Sequence, residues 1–224
     1  MAQLQYPTTE VGNGVLSATD SRPRHQERNL SNSTSLRNQL FVSQWLRNPR
    51  AVGALAPSGQ QLATAMAAQV VAGSGLVVEL GAGTGVITTA LLRQGVAAEQ
   101  LIVIENSVSM AHDLVKMFPA VTVLQANAAR LSALLQRRGF TTATTVVSSL
   151  PLLSLPSWQR HRILKEIASV LPVGGRLIQF TYSPLAPISV TLAKRLGLEG
   201  NRVRRVAINL PPAAVWVYEK KNFP

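Results

Sequence analysis

Cysteine is missing from all 224 residues, which removes disulfides, thiolate nucleophiles and cysteine-based metal sites together. The three histidines, His25, His112 and His161, are scattered without close metal-ligand spacing, and a metal-free protein is expected. No apolar stretch approaches the ~18–20 residues that cross a bilayer. The first residues lack a charged start followed by an apolar core, so no secretory signal is expected. Carboxylates are scarce: ten Asp and Glu stand against 22 Lys and Arg, for a formal charge of +12. A surface this basic concentrates on polyanions, either nucleic acid or anionic lipid, and net charge alone does not choose between them. Hydrophobic content of 46% with 14% charged residues marks a globular chain. Its length suits one α/β domain with an appendage, burying roughly 70% of the unfolded surface.

What is present is concentrated in residues 77–88. Leu76-Val77-Val78 reads as a buried parallel strand ending on Glu79, and Gly81, Gly83 and Gly85 follow at every second position before an apolar helix begins near Val86. Glycine there permits positive φ and lets a ligand approach the backbone without meeting a Cβ. A second buried-strand run, Leu101-Ile102-Val103-Ile104, ends on Glu105, 24 residues beyond Gly81. That carboxylate is placed to hold a ribose by its two hydroxyls. Strand, glycine turn, helix, strand and acid form the nucleotide-binding half of an open α/β sheet. The dinucleotide fingerprint requires Gly or Ala where this chain has Val86, so that match fails at a defining position. Glu79 would also repel a pyrophosphate, whereas it suits a cofactor tail that bears an ammonium. S-adenosylmethionine has both the ammonium and the ribose. The arrangement resembles motif I and the following acidic motif of class I S-adenosylmethionine-dependent methyltransferases.

The remainder alternates in the same way. Residues 1–32 are a polar, basic stretch without apolar period, read as a mobile tail. Residues 33–74 carry helical patterns: Leu36, Leu40, Phe41, Trp45 and Leu46 recur at helical spacing up to Asn48-Pro49, and a second helix starts after Pro57-Ser58 and runs to about Val71. From residue 75 to 224, helices are predicted over 107–117, 129–138, 157–170 and 188–196. Strands are predicted over 121–124, 143–148, 176–181, 202–209 and 213–219. Five β-α alternations followed by a hairpin fit a doubly wound, Rossmann-like α/β sheet closed by an antiparallel C-terminal hairpin and preceded by an N-terminal helical extension. That order resembles the seven-stranded methyltransferase sheet.

Ligands in such sheets lie at the carboxyl ends of the parallel strands. The expected cofactor contacts are Glu79, Gly81, Ala82, Gly83, Thr84 and Gly85 from the first end and Glu105 and Asn106 from the second. Asn127 and Ala128 come from the third and Ser148 from the fourth. Methyltransferases often carry an acid at the third end that accepts from the adenine amino group; Asn127 matches it, with an amide oxygen in place of the charge. The fourth end, Ser148-Ser149-Leu150-Pro151-Leu152-Leu153, is where the methyl acceptor is expected. In amino-methylating families a polar residue and a proline here use backbone carbonyls to accept from the acceptor nitrogen. Base-methylating enzymes commonly follow that proline with a stacking aromatic, whereas Leu152 and Leu153 leave an apolar acceptor pocket.

A closer resemblance lies in Trp45-Leu46-Arg47-Asn48-Pro49, Ala56-Pro57-Ser58, Ser149-Leu150-Pro151-Leu152 and Gln179-Phe180-Thr181-Tyr182-Ser183-Pro184-Leu185. Across residues 36–220 the chain is similar to bacterial phospholipid N-methyltransferases. The resemblance implies methylation of a lipid head-group amine, of phosphatidylethanolamine or of an aminolipid carrying ornithine. Ser149, Leu150, Pro151 and Tyr182 are then the catalytic candidates, with Tyr182 orienting the nitrogen or relaying its proton. Trp45, Arg47 and Ser58 are candidates for contact with substrate or membrane. The expected setting is a monomer in the bacterial cytoplasm, peripheral on the inner face of an anionic membrane. The alternative is an enzyme similar to ribosomal RNA adenine N6-dimethyltransferases, disfavoured because the stacking aromatic and the usual extra helical domain are missing. A non-enzymatic basic binding module is the third reading, and intact Glu79 and Glu105 speak against it.

Overall fold

A computed structural model describes residues 57–207 and 212–222. The segment carrying Trp45 and Arg47, the tail before it and the side chain of Ser58 lie outside the described residues. The elements in chain order are α1 (Pro57–Ala67), β1 (Val77–Leu80), α2 (Val86–Arg93), β2 (Leu101–Glu105), α3 (Val108–Met117), β3 (Thr122–Gln125) and α4 (Leu131–Gln136). They continue with β4 (Thr145–Ser148), α5 (Ser157–Val170), β5 (Arg176–Thr181), α6 (Val190–Arg195), β6 (Leu198–Val206) and β7 (Ala213–Lys220).

The seven strands form one sheet in the order β3-β2-β1-β4-β5-β7-β6. The first five neighbours pair in parallel; β7 runs antiparallel to β5, and β6 antiparallel to β7. β1, β2 and β4 are buried at every residue, as expected of parallel strands covered on both faces. Period-two alternation divides the core. Val78, Leu80, Ile102, Ile104 and Leu177 face one layer with Leu131 and Leu135 of α4 and Ile163, Leu164 and Ile167 of α5. Val77, Leu101, Val103, Ile178 and Phe180 face the other, with Leu62 and Met66 of α1, Leu91 of α2 and Leu114 of α3. The order of strands reverses between β1 and β4, so a crevice opens outside their carboxyl ends.

The doubly wound fold and its closing hairpin are as the sequence implies, and α5 and β5 begin and end where predicted. α1 ends at Ala67, four residues short of the expected Val71, as the backbone tightens into the turn bonds Gln69 N–H to Met66 and Val70 N–H to Ala67. Two further boundaries differ for local reasons. The helix expected over 129–138 is split into a tight turn at Ala128–Arg130 and the shorter α4, because the Asn127 side chain caps the turn by accepting from the Ala129 N–H (2.8 Å). β6 begins four residues earlier than predicted, at Leu198, directly after Gly197, which takes φ 71°. Its residues 201–205 are all exposed, so this edge strand has no alternation to betray it.

Candidate active site

The candidate site is built at the carboxyl ends of the five parallel strands, β1 to β5. At the end of β1, Gly81 takes φ 74°, and its N–H donates to the Ile104 carbonyl (2.8 Å), extending the β1–β2 pairing by one bond. Gly83 and Gly85 also lie at positive φ, which side chains disfavour by roughly 1–2 kcal/mol. A Cβ on Gly81 would come within 2.8 Å of the Leu150 side chain and one on Gly85 within 2.6 Å of Phe118, whereas around Gly83 the space is open. The open position is where a ligand can approach the backbone. α2 starts immediately after, so its free N–H groups also point toward this end of the sheet.

Glu105 ties the glycine turn to the next strand. Its Oε2 accepts from the Gly83 N–H (2.9 Å) and its Oε1 from the Ser107 N–H (2.8 Å), while its own carbonyl accepts from the Ala126 N–H. A carboxylate offers about four lone-pair sites, so two backbone donors leave acceptor capacity for ribose hydroxyls. Glu79 is set deeper than its sequence position suggests, with no exposed surface. Thr88, two residues inside α2, donates its hydroxyl to Glu79 Oε2 (2.6 Å), and Oε1 is buried without a hydrogen-bond partner among the described residues. Burial pushes the Glu79 carboxyl up to about 7, with the Thr88 bonds pulling the other way and the nearby Glu105 charge adding to the rise.

Asn106 is exposed, and its carbonyl accepts from Gln125 Nε2 (3.0 Å). Ala82 and Ala128 are buried in opposite core layers, and Thr84 is half-buried in the turn. The Asn127 amide oxygen makes the capping bond to Ala129 and retains a second lone pair. On the acceptor side Ser149 is nearly buried, its N–H donating to the Leu80 carbonyl (2.9 Å). The Leu150 carbonyl accepts from the Leu152 N–H and from Gln179 Nε2, and the Pro151 carbonyl from the Ser154 N–H. Leu150 therefore has both lone pairs engaged inside the protein, and Pro151 has one. Leu152 packs into the core, 2% exposed, instead of lining an open pocket; Leu153 is half-buried. Tyr182 stands just past β5, half-buried, with its ring edge-on to Phe180 at 5.3 Å.

The residues that sequence reasoning passed over are Thr88 and Gln179. Each is a polar side chain inside an apolar run (Val-Ile-Thr-Thr-Ala-Leu-Leu; Leu-Ile-Gln-Phe), and such interruptions of a buried element were the available signal.

Residues 77–175 match a family model described as a methyltransferase domain. An ornithine lipid N-methyltransferase of Singulisphaera acidiphila is 30% identical over 149 residues, covering 65% of this chain and 78% of that protein. The chain belongs to the S-adenosylmethionine-dependent methyltransferases. Solved structures of two further members share its fold. The 1,6-didemethyltoxoflavin-N1-methyltransferase of Burkholderia thailandensis, bound to S-adenosylhomocysteine, gives a TM-score of 0.61 at 16% identity, covering 92% of this chain and 94% of that one. The magnesium protoporphyrin IX methyltransferase of Synechocystis, bound to S-adenosylmethionine, gives 0.58 at 15%, covering 92% and 100%.

S-adenosylmethionine is thus the cofactor, and the site fits it: an unsatisfied buried carboxylate oxygen on Glu79, spare acceptor capacity on Glu105 and open space at Gly83. With the cofactor bound, Glu79 would serve the ammonium end, Glu105 the ribose, and the Asn127–Ala128 turn the adenine. An ammonium partner favours ionised Glu79. Cofactor binding is predicted to release a proton near neutral pH and to weaken as pH falls below about 7, because the carboxyl then has to lose its proton first. Without ligand the sign for stability is opposite. The folded carboxyl holds its proton to about pH 7 and the unfolded one only to about 4.5, so stability falls as pH rises through that window and is flat above it. Calorimetry across pH 5.5–8.5 should show both effects in the wild type and neither in Glu79→Gln, with weaker cofactor binding in the variant.

Proposed function

We propose that this methyltransferase acts on the head-group amine of a membrane aminolipid, of the ornithine-lipid or phosphatidylethanolamine type, adding methyls singly or in succession. The observation that carries the reading is the 30% identity with an ornithine lipid N-methyltransferase over 149 residues. The acceptor end supports it: apolar residues follow Pro151 where a base-methylating enzyme would place a stacking ring.

When bound beside Glu79 and Glu105, the cofactor would supply an electrophilic methyl on a sulfonium, so that a C–N bond would form as the C–S bond breaks and the amine would give up a proton. Little covalent chemistry is left to the protein, so its contribution is positioning and desolvation. A primary amine with a lysine-like pKa of about 10 is mostly protonated in water, and a partly apolar site favours the neutral, nucleophilic form. Ser149, Pro151 and Tyr182 supply oxygens at the fourth and fifth strand ends. Tyr182 is assigned the orientation of the nitrogen or the relay of its proton through water.

The basic charge has a place in this reading. Register rows carry Arg202 level with Gln179, Arg204 with Phe180 and Arg205 with Thr181, through Trp216, Val215 and Ala214 of β7. Three exposed arginines thus line the edge strand beside the carboxyl end of β5. Leu185 and Val190, 72% and 70% exposed, follow that same strand end. The acids of β6 and β7, Glu199 and Glu219, pair with each other in register near the opposite end. Cations with protruding apolar side chains match an anionic membrane surface, so the proposed partners are anionic lipids and the proposed location is peripheral on the inner face of the cytoplasmic membrane. Among the described residues no helix is long and apolar enough to cross a membrane.

The test is transfer of labelled methyl from S-adenosylmethionine to phosphatidylglycerol vesicles containing ornithine lipid or phosphatidylethanolamine, with ribosomal RNA as a parallel acceptor. Label in the aminolipid is expected; label in RNA alone would move the reading to the RNA enzymes. In the same assay Tyr182→Phe should lower turnover at least tenfold with cofactor affinity nearly unchanged, and undiminished turnover would remove Tyr182 from the mechanism.

A further inference from the structure

Gln179 is a buried polar residue for which neither the cofactor nor the acceptor assignments account. It lies in β5, 1% exposed, in register with Ser148 of β4 on one side and Trp216 of β7 on the other. Its Nε2 donates to the Leu150 carbonyl (3.0 Å) and to its neighbour's, Phe180 (2.9 Å). The amide can stand only this way round, because both facing atoms are carbonyl oxygens and only an NH2 group can meet them. Ser148, directly across, is also fully buried, and its Oγ accepts from the Leu150 N–H (3.3 Å). Two side chains on register-paired residues therefore grip residue 150 at its N–H and at its C=O. The gripped residue is the one whose side chain a Cβ on Gly81 would strike.

The arrangement is costly. Gln179 Oε1 is buried without a partner among the described residues, and so is Trp216 Nε1 on the register-paired strand. An unpaired buried polar atom loses its hydration with nothing in return, and an apolar side chain of the same length would avoid that loss. We infer that Gln179 is a positioning residue for methyl transfer: with Ser148 it fixes the acceptor turn at Leu150 against the glycine turn that carries the methyl donor. The inference rests on the assignment of the 148–153 turn to the acceptor. It explains why a glutamine interrupts an otherwise apolar strand, and why the Leu150 carbonyl holds the turn and leaves substrate contact to its neighbours.

The test compares wild type, Gln179→Met and Ser148→Ala as full chains, on phosphatidylglycerol vesicles containing ornithine lipid or phosphatidylethanolamine. Gln179→Met is close in volume and removes the orphaned oxygen together with the grip. It is expected to melt no lower than wild type and to bind S-adenosylmethionine within twofold, yet to lose at least tenfold in kcat with KM for the cofactor unchanged. Ser148→Ala should lose turnover in the same way, and the double variant should be little worse than either single one, because both remove one constraint. A second readout needs no acceptor: amide exchange at Leu150 and Leu152 should accelerate at least tenfold in Gln179→Met. Wild-type kcat in both single variants, or unchanged exchange at those amides, overturns the inference. An equal loss of melting temperature and activity in Gln179→Met, with Ser148→Ala fully active, overturns it as well. If the wild type methylates no aminolipid, the proposed substrate fails while the exchange measurement still decides the role of Gln179.

Discussion

The Glu105 carboxylate spans the gap between two loops: one oxygen takes the Gly83 N–H and the other the Ser107 N–H. A glycine turn must leave its surface bare for a ligand, and a bare turn has no side chains with which to hold itself. Something outside it must fix its shape. The carboxylate at the end of β2 does so from a residue held in register with Gln125 of β3, and charge-assisted bonds to backbone N–H groups are about twice as strong as neutral ones. The residue it holds, Gly83, is the middle one of three glycines at positive φ, between Gly81 and Gly85.

The half proposed for the acceptor is built by a parallel device. Polar side chains on β4 and β5 hold the Leu150 peptide, and the Leu150 side chain then rests over Gly81. Donor and acceptor turns are thus in van der Waals contact at one point, each fixed by side chains from the strand next to it. For a reaction whose barrier is lowered mainly by alignment, rigidity at that contact is what the fold contributes. Glu79 and Gln179 each keep one buried oxygen without a partner among the described residues, and both lie beside this junction. Unsatisfied polar atoms gathered at a functional site are the expected mark of structure kept for chemistry at some cost in stability.

Much of this was legible in the order of residues. Buried parallel strands declare themselves as short apolar runs, nearly unbroken in β2 and interrupted only by Glu79 in β1 and Gln179 in β5, and the glycine spacing with Glu79 and Glu105 points to the cofactor. The edge strand β6 was misplaced because five consecutive exposed residues, two of them flanking a bulge between Arg202 and Arg204, carry no periodic signal. Leu152 was read as pocket lining, but a tight turn after Pro151 directs it into the core. The second role of Glu105, bracing the turn, and the grip of Ser148 and Gln179 on Leu150 were illegible. Each depends on which residues face each other across strands 22 to 29 positions apart, a relation that only the sheet order creates.

Glu105 braces the glycine turn and is the proposed holder of the cofactor's ribose. Its most direct test is the affinity of Glu105→Gln for S-adenosylmethionine by titration calorimetry, with the fold monitored by circular dichroism. A glutamine of the same shape presents one NH2 group where two backbone donors demand two acceptors. The account predicts a folded protein that binds at least hundredfold more weakly, a difference of about 2.7 kcal/mol. Wild-type affinity in that variant would contradict it.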